Sequence, residues 1–161
     1  MTEIIVDQPL AFFITWTCYG TWLPGDERGF VQWHEGWKPP NPQLETFART
    51  AMKERALLLS AEERGLVETT ISEHCQIRTW QRWAVSARNN HVHVVLTAQD
   101  FQASMVRNQL KAWCSRKLKE QFQPARKRFW AEGGSCQCLF DEDSVALAIQ
   151  YTDEAQDKPR D

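Results

Sequence analysis

Two histidines spaced two residues apart, His91 and His93, follow the polar segment Arg88-Asn89-Asn90. Asparagine tolerates the left-handed backbone of tight turns, so we predict a β-hairpin whose second strand begins at His91. Side chains alternate along a strand, which puts both imidazoles on one face and Val92 and Val94 on the other, toward the core. Two imidazoles side by side on a strand can offer nitrogen ligands to one divalent cation. The same spacing also occurs on solvated strand faces, so other residues must decide between these interpretations.

A tyrosine near the end of the sequence, Tyr151, is the second candidate for chemistry. A phenol is protonated at neutral pH and is a weak nucleophile, but it can attack a phosphodiester when a metal polarises the phosphate and the geometry is in line. The inner stripe of the predicted terminal helix is formed by other residues: Val145, Ala148, Ile149 and Thr152. Tyr151 lies to one side of this stripe, which favours a catalytic role over that of a core tyrosine.

A basic segment from Arg107 to Arg128 is the third candidate. It holds eight basic residues and one acidic residue, a net charge of +7, whereas the whole chain has a net charge of −2 and the remainder therefore −9. Positive charge concentrated on an otherwise acidic protein suits the binding of a polyanion in one place. We expect phosphate contacts, rather than only a solvated helix face, from four of these residues: Arg107, Lys111, Arg116 and Lys117.

The elements that must hold these residues follow from hydrophobic periodicity and turn residues. We predict strands at residues 11–19, 77–87 and 91–98, and helices at residues 43–57, 61–74, 101–122 and 142–156. The segments 128–132 and 135–140 flank Gly133-Gly134 and are expected to form a second short hairpin. The predicted helix caps are Ser60 with Glu63, Asp100 and Asp141. The order β, α, α, β-β, α, β-β, α indicates an α+β fold, a mainly antiparallel sheet with helices packed on it.

Length and composition indicate one globular domain over residues 1–161, with 42% hydrophobic residues to build its core. Residues from about 20 to 42 are rich in Gly, Pro and Trp, which predicts a long ordered loop rather than a regular element. An acidic start and the lack of a long apolar run predict a cytosolic protein with no membrane partner. The five cysteines are expected to be free thiols, without zinc at Cys136 and Cys138.

The motif Asn90-His-Val-His-Val-Val95 resembles the His-hydrophobic-His (HUH) motif of single-tyrosine transposases, the insertion-sequence-200-like and REP-associated tyrosine transposase family. Further similar segments run almost the whole length of the chain: Tyr19-Gly-Thr-Trp-Leu-Pro-Gly-Asp-Glu-Arg-Gly29, Asn108-Gln-Leu-Lys-Ala112, Trp130-x-x-Gly-Gly-Ser135 and Ala148-Ile-x-Tyr-x-x-x-x-Gln156. A His-x-His pair alone is a weak signal, but this order and spacing, with a tyrosine near the C-terminus, is fairly specific.

The resemblance implies a ferredoxin-like HUH nuclease domain that cuts and rejoins single-stranded DNA near a hairpin. Tyr151 would form a 5′-phosphotyrosine link and release a 3′-hydroxyl, while His91 and His93 would hold Mg²⁺ or Mn²⁺ without zinc or ATP. It also implies a homodimer in which one subunit's tyrosine can serve the other's histidines. One alternative is a domesticated relative that binds hairpin DNA or RNA without cutting it, although a pure binder needs neither the histidine pair nor the tyrosine. A second is a hydrolase that uses water at the metal.

The third metal ligand departs from the family pattern. The family often places a metal-binding Gln four residues after the tyrosine, whereas this sequence has Ala155 there. On a regular helix, Glu154 lies about 60° around the axis from Tyr151 and Gln156 about 140°. The angle around the helix axis therefore favours Glu154, whereas the residue type favours Gln156 if the helix frays there. Both are candidates for the third metal ligand.

Overall fold

The principal strands of the protein form one antiparallel sheet, as their β-branched and aromatic composition predicts. The computed structural model describes residues 8–32 and 35–154. Its strands are β1 (Ala11–Thr17), β2 (Phe30–Gln32), β3 (Gly36–Lys38), β4 (Gln81–Ala87), β5 (His91–Thr97) and β6 (Ser135–Leu139), and its helices are α1 (Pro42–Ala51), α2 (Ala61–Arg78), α3 (Ala103–Gln121) and α4 (Glu142–Glu154). The sheet order is β4-β5-β1-β6, and each of its strand pairs is antiparallel. The succession β1-α2-β4-β5-α3-β6 with this order is ferredoxin-like, so the predicted α+β class is confirmed.

Helices cover both faces of the sheet. The larger core lies under α2 and α3 and includes Ile71, Leu110 and the fully buried Val92 and Val94 of β5. A smaller core lies under α4, where Val95 packs with residues such as Ala148. Because side chains alternate along β5, the histidines share the α4 face with Val95. The predicted separation of the histidines from Val92 and Val94 is confirmed.

The first two helices differ from their predicted bounds. Helix α1 ends at Ala51 instead of residue 57, and none of its residues is buried, so its apolar spacing does not face the core. The following chain is extended, and Leu57 and Leu59 enter the core from it. Their N–H groups donate to the carbonyls of Tyr19 (2.9 Å) and Asn89 (2.7 Å), which holds this segment against the loops beside the sheet.

Helix α2 has the predicted capping box but is longer than predicted. The Glu63 N–H donates to Ser60 Oγ and the Ser60 N–H to the Glu63 carboxylate, both at 3.1 Å. The helix continues to Arg78 and ends at Thr79, whose φ of 61° is left-handed. Strand β4 therefore starts at Gln81 rather than residue 77. A non-glycine residue in this conformation carries no sequence signal, which explains the error.

The predicted second hairpin is wrong. Strand β6 pairs with β1, and the segment before it forms only an isolated bridge between Trp130 and Cys18. Gly134, with a φ of +138°, lies so close to the sheet that an added Cβ would be 2.6 Å from the Thr15 carbonyl oxygen. The Gly-Gly pair thus permits a close approach to β1 rather than a two-residue turn.

Of the two caps predicted for the last two helices, one is confirmed and one is wrong. Asp141 caps α4 as expected, since its Oδ1 accepts from the Ser144 N–H at 2.7 Å. Asp100 does not cap α3: the N-cap is Gln102, which makes no capping side-chain hydrogen bond, and Asp100 has a left-handed φ of 67°. Asp100 instead shapes the turn that precedes the helix.

The Gly-, Pro- and Trp-rich segment is ordered but not wholly irregular. It contains the β2–β3 pair, in which Val31 lies opposite Trp37. Before this pair, the Trp22 indole donates to the Gly29 carbonyl at 2.7 Å, and the Arg28 guanidinium stacks on the Trp22 ring at 4.0 Å. Trp22 therefore serves to pack the loop on itself.

Candidate active site

Strand pairing places a threonine directly opposite the second histidine. In the β1–β5 register, Thr15 is the partner of His93 and Thr17 the partner of His91. Thr15 Oγ1 lies 2.8 Å from His93 Nδ1, a hydrogen bond that holds the imidazole plane. Metal-binding histidines commonly use their second ring nitrogen in this way. Sequence analysis missed Thr15 because its role depends on which strands pair.

The two histidine rings lie side by side, with centroids 4.6 Å apart and planes at 76°. His91 Nδ1 is 2.5 Å from Asn90 Oδ1. An amide oxygen only accepts, so this contact favours the tautomer with hydrogen on Nδ1 and the lone pair on Nε2. Asn90 adjoins His91 in the sequence, and the Asn-His pair was the only available signal for this contact.

The protonation state of His93 suits a metal ligand. Burial, then the neighbouring His91 and the charge of Arg88, lower the pKa of His93 to about 4. The ring is therefore neutral near pH 7, which is the form that coordinates cations. Its side chain is 6% exposed, so the imidazole is held in place by the protein around it.

Tyr151 lies beside this histidine pair in the same chain. Its ring centroid is 5.5 Å from that of His93, with an interplanar angle of 79°. Phe13, another residue that sequence analysis missed, stacks on His93 at 5.7 Å and meets Tyr151 edge-on at 6.0 Å. Tyr151 is 56% exposed, whereas Thr152 is fully buried and anchors α4. The structure thus places an exposed tyrosine side chain next to the histidine pair.

The third metal ligand is not assigned by the structure. Glu154 stands at the end of α4 and accepts a hydrogen bond from Gln150 at 3.2 Å, and Gln156 lies outside the described residues. Within residues 8–32 and 35–154, no three His, Cys, Asp or Glu side chains are grouped so as to hold a metal ion. The imidazoles of His91 and His93 fit a divalent cation whose other positions are filled by water, phosphate oxygens or a further ligand.

The basic residues predicted to bind DNA do not form one face of α3. Arg107 and Arg116 are nine residues apart, which places them about 180° from each other around the helix. Lys111 Nζ donates to the carbonyls of Ala131 (3.0 Å) and Gly133 (2.8 Å). Arg107 Nη1 lies 3.3 Å from the Gly134 carbonyl oxygen. These two side chains therefore hold the segment that enters β6.

Of the other two basic residues, Arg116 is the more available to a ligand. Arg116 is exposed and stacks on the Trp113 ring at 4.6 Å, whereas Lys117 is partly buried. Burial, followed by the charge of Arg107, lowers the pKa of Lys111, in keeping with its inward position. Sequence composition did not distinguish Arg107 and Lys111, which contact the 131–134 segment, from Arg116 and Lys117, because all four contribute equally to net charge.

The antiparallel sheet, with two histidines and a helix-borne tyrosine on one face, defines a transposase-like α+β domain. The sequence profile of the family described as "Transposase IS200 like" matches residues 48–151, and the chain belongs to this family. The structure is similar to that of a REP-associated tyrosine transposase bound to a REP hairpin, with a TM-score of 0.54 and 10% identity over 94% of this chain and 68% of that one.

A second solved structure, a proposed transposase from Deinococcus radiodurans R1, has a TM-score of 0.48 and 11% identity over 95% of each chain. At these identities, the likeness to the REP-associated transposase supports the fold alone. A search of curated proteins finds no match. Among the described helices, none is long and apolar enough to cross a membrane.

Proposed function

We propose that this protein is a metal-dependent endonuclease and strand transferase that acts on single-stranded DNA near hairpins. The observation that carries the proposal is the 5.5 Å separation of the Tyr151 and His93 ring centroids. The ring centroid of His91 lies 4.6 Å from that of His93. Tyr151 is 56% exposed, so it is accessible to a substrate in a way that a core tyrosine would not be. A phenol beside two imidazoles can attack a phosphate that a bound cation polarises.

In the proposed reaction, the Tyr151 oxygen attacks the scissile phosphorus and the bond to the 3′ oxygen breaks. The phenol proton passes to solvent, and the products are a 5′-phosphotyrosine and a strand ending in a 3′-hydroxyl. Another 3′-hydroxyl can then attack the phosphotyrosine, which rejoins DNA without loss of the phosphodiester bond energy. Hydrolysis would lose that energy, so a covalent intermediate suits strand transfer.

His91 and His93 would hold Mg²⁺ or Mn²⁺, with Glu154 or Gln156 as candidates for a third ligand. When bound, the cation supplies polarisation of the phosphate and stabilises its developing charge. Asn90 and Thr15 would orient the two imidazoles through their Nδ1 atoms. Phe13 would keep the Tyr151 ring close to His93 by packing against both.

We propose hairpin-bearing DNA as the partner, with phosphate contacts from the basic residues of α3. The structural neighbour that is bound to a REP hairpin supports this choice of ligand. The exposed Arg116 and the partly buried Lys117 are the stronger candidates, while Arg107 and Lys111 would have to serve DNA and the 131–134 segment together. This division leads to separate predictions for the two pairs.

We further propose that residues 1–161 act as one domain and that the protein forms a homodimer, as the resemblance implies. Tyr151 already lies beside the histidines of its own chain, so a partner subunit is not needed to assemble these three side chains. Dimerisation would then serve to bring two DNA ends together. Sedimentation of the protein with and without hairpin DNA tests this.

The decisive experiment incubates labelled hairpin strands with the protein and Mn²⁺, followed by denaturing electrophoresis. Wild-type protein should give a covalent adduct and a released 3′-hydroxyl strand. Tyr151→Phe should bind the strand and form no adduct. Tyr19→Phe is the matched control, because Tyr19 is the only other tyrosine and its hydroxyl accepts a hydrogen bond from the Lys53 N–H at 2.9 Å.

The other outcomes identify the alternatives. A mobility shift without cleavage would replace the proposal with a non-cleaving binder of hairpin DNA or RNA. Cleavage without an adduct would indicate a hydrolase that uses water. An adduct that peptide mapping places on Tyr19 would show that the nucleophile is misassigned.

A further inference from the structure

Arg88 links the turn before the histidine strand to the helix that carries the tyrosine. Its N–H donates to the His91 carbonyl at 2.7 Å, which fixes its backbone at the β4–β5 turn. Its side chain crosses to α4, where Nη2 lies 3.4 Å from the Thr152 carbonyl oxygen. Thr152 is the residue after Tyr151. The guanidinium is thus held between the two elements that form the candidate active site.

The hydrogen bonding of this guanidinium is incomplete. Arg88 Nε is buried and has no hydrogen-bond partner among the described residues. The 3.4 Å contact to Thr152 is longer than an ordinary N–H···O bond, which is about 2.7–3.2 Å. A buried donor without a partner destabilises the folded protein, and more so when it is charged. An apolar side chain of similar length would avoid this cost, so the charge calls for an explanation.

The positive charge of Arg88 is not neutralised by an acidic side chain among the described residues. None of the ion pairs between described residues includes Arg88. Its backbone adjoins the strand that carries His91 and His93, and its side chain reaches the helix that carries Tyr151. Arginine binds phosphate through a planar fork of donors and is more weakly hydrated than lysine, so it suits a partly buried anion site.

We propose that Arg88 binds the non-bridging oxygens of the phosphate that Tyr151 attacks. This inference rests on the proposed function, because it assigns the DNA phosphate as the missing partner of the guanidinium. On binding, Arg88 would exchange its long contact with Thr152 for charge-assisted bonds to the phosphate. The alternative is that Arg88 only tethers the end of α4 to the β4–β5 turn.

The test is phosphate ethylation interference on a hairpin strand, with Tyr151→Phe as the parent so that the strand stays intact. Ethylation removes the charge of one phosphate at a time. In the parent, ethylation of the phosphate at the site should weaken binding about tenfold, equivalent to about 1.4 kcal/mol. Adding Arg88→Met should abolish interference at that single position and leave the rest of the pattern intact.

The matched control is Arg82→Met in the same parent. Arg82 is an exposed arginine of β4, the strand that precedes Arg88, and lies opposite Leu96, toward the other end of β5 from His91. It should leave the interference pattern unchanged. If Arg88→Met lowers the melting temperature too far for binding studies, Arg88→Gln, which also lacks the charge, replaces it.

The results separate the two roles of Arg88. An identical interference pattern with and without Arg88 would overturn the proposal and leave the residue as a tether of α4. Cleavage by the wild-type protein is scored on the same strand in a separate reaction. Loss of one interference position without wild-type cleavage would support Arg88 as a phosphate ligand and refute the nuclease. Cleavage by the wild-type protein together with an unchanged interference pattern would support the nuclease and refute Arg88 as a phosphate ligand.

Discussion

Thr15 and His93 face each other across the β1–β5 pair, with Thr15 Oγ1 2.8 Å from His93 Nδ1. This contact orients a buried imidazole that would otherwise rotate about its χ2 angle. It connects the ordinary register of an antiparallel sheet to the direction in which a candidate metal ligand points. The candidate site therefore depends on strand pairing as much as on its own residues.

Removing the Thr15 hydroxyl should weaken metal binding without unfolding the protein. Thr15→Val keeps the β-branched shape but cannot bond to His93, and loss of such a supporting contact typically costs about 10- to 100-fold in metal affinity. Titration of the DNA-free protein with Mn²⁺, followed by calorimetry, measures the change. Thr15→Ser restores a hydroxyl and should recover most of the affinity. Wild-type affinity in the Val variant would contradict the supporting role.

Removing either histidine should abolish cleavage and leave much of the DNA affinity. His91→Ala and His93→Ala each delete one of the two imidazoles expected to hold the cation, so no adduct should form with Mn²⁺ or Mg²⁺. His74→Gln is the control, since His74 is a buried histidine that contacts Gln109 in the α2–α3 layer, away from Tyr151. EDTA should also stop the wild-type reaction. Full activity in EDTA would exclude the metal assignment.

Arg116 and Lys117 on α3 should account for part of the salt dependence of DNA binding. Replacing Arg116 and Lys117 together by Ala removes two proposed phosphate contacts. The slope of log affinity against log salt should become shallower by about 1.4 for single strands and about 1.8 for duplex stems. Binding measured between low and moderate salt gives this slope. An unchanged slope would show that these side chains are only solvated.

The inward basic residue on α3 should matter for stability. Lys111→Met leaves the carbonyls of Ala131 and Gly133 without their Nζ donor, so the free energy of unfolding should fall by about 1–3 kcal/mol. Urea denaturation measures the change. Lys117→Met is the matched control, and its effect should stay within about 0.5 kcal/mol, because the bonds to the Ala131 and Gly133 carbonyls come from Lys111. Equal effects would mean that the 131–134 segment is held by other contacts.

The metal-free protein should lose stability between neutral and mildly acidic pH. The pKa of His93 falls from 6.5 to about 4 in the folded protein, chiefly through burial. The unfolded chain therefore binds the extra proton first, so the stabilising contribution is complete above pH 6.5 and is lost as the pH falls toward 4. The loss should be on the order of 2 kcal/mol.

Urea denaturation in EDTA across this pH range measures the effect, with His93→Gln as the reference protein. Glutamine does not titrate, so the difference in unfolding free energy between the two proteins should shrink as the pH falls. A difference that stays constant with pH would show that His93 titrates alike in the folded and unfolded chains.

Several features of the protein are predictable from the sequence because they depend on neighbouring residues only. Alternation along β5 separates His91 and His93 from Val92, since side chains of a strand point to opposite faces whatever its partner. Periodicity along α4 likewise leaves Tyr151 outside the buried stripe. The Ser60–Glu63 capping box and the Asp141 cap act over three residues.

Other features were decided only by the tertiary structure, because several strand pairings are compatible with the same local pattern. The 135–139 segment carries a hairpin-like Gly-Gly signal yet pairs with β1, where Gly134 allows a close backbone approach. Composition showed a basic segment, but only packing showed that Lys111 bonds to the 131–134 segment while Arg116 is exposed. The contact between Thr15 and His93 joins residues 78 positions apart, a separation at which no local pattern specifies a partner. Burial of apolar surface on both faces of the sheet selects the pairing, and that selection brings His93 and Tyr151 together.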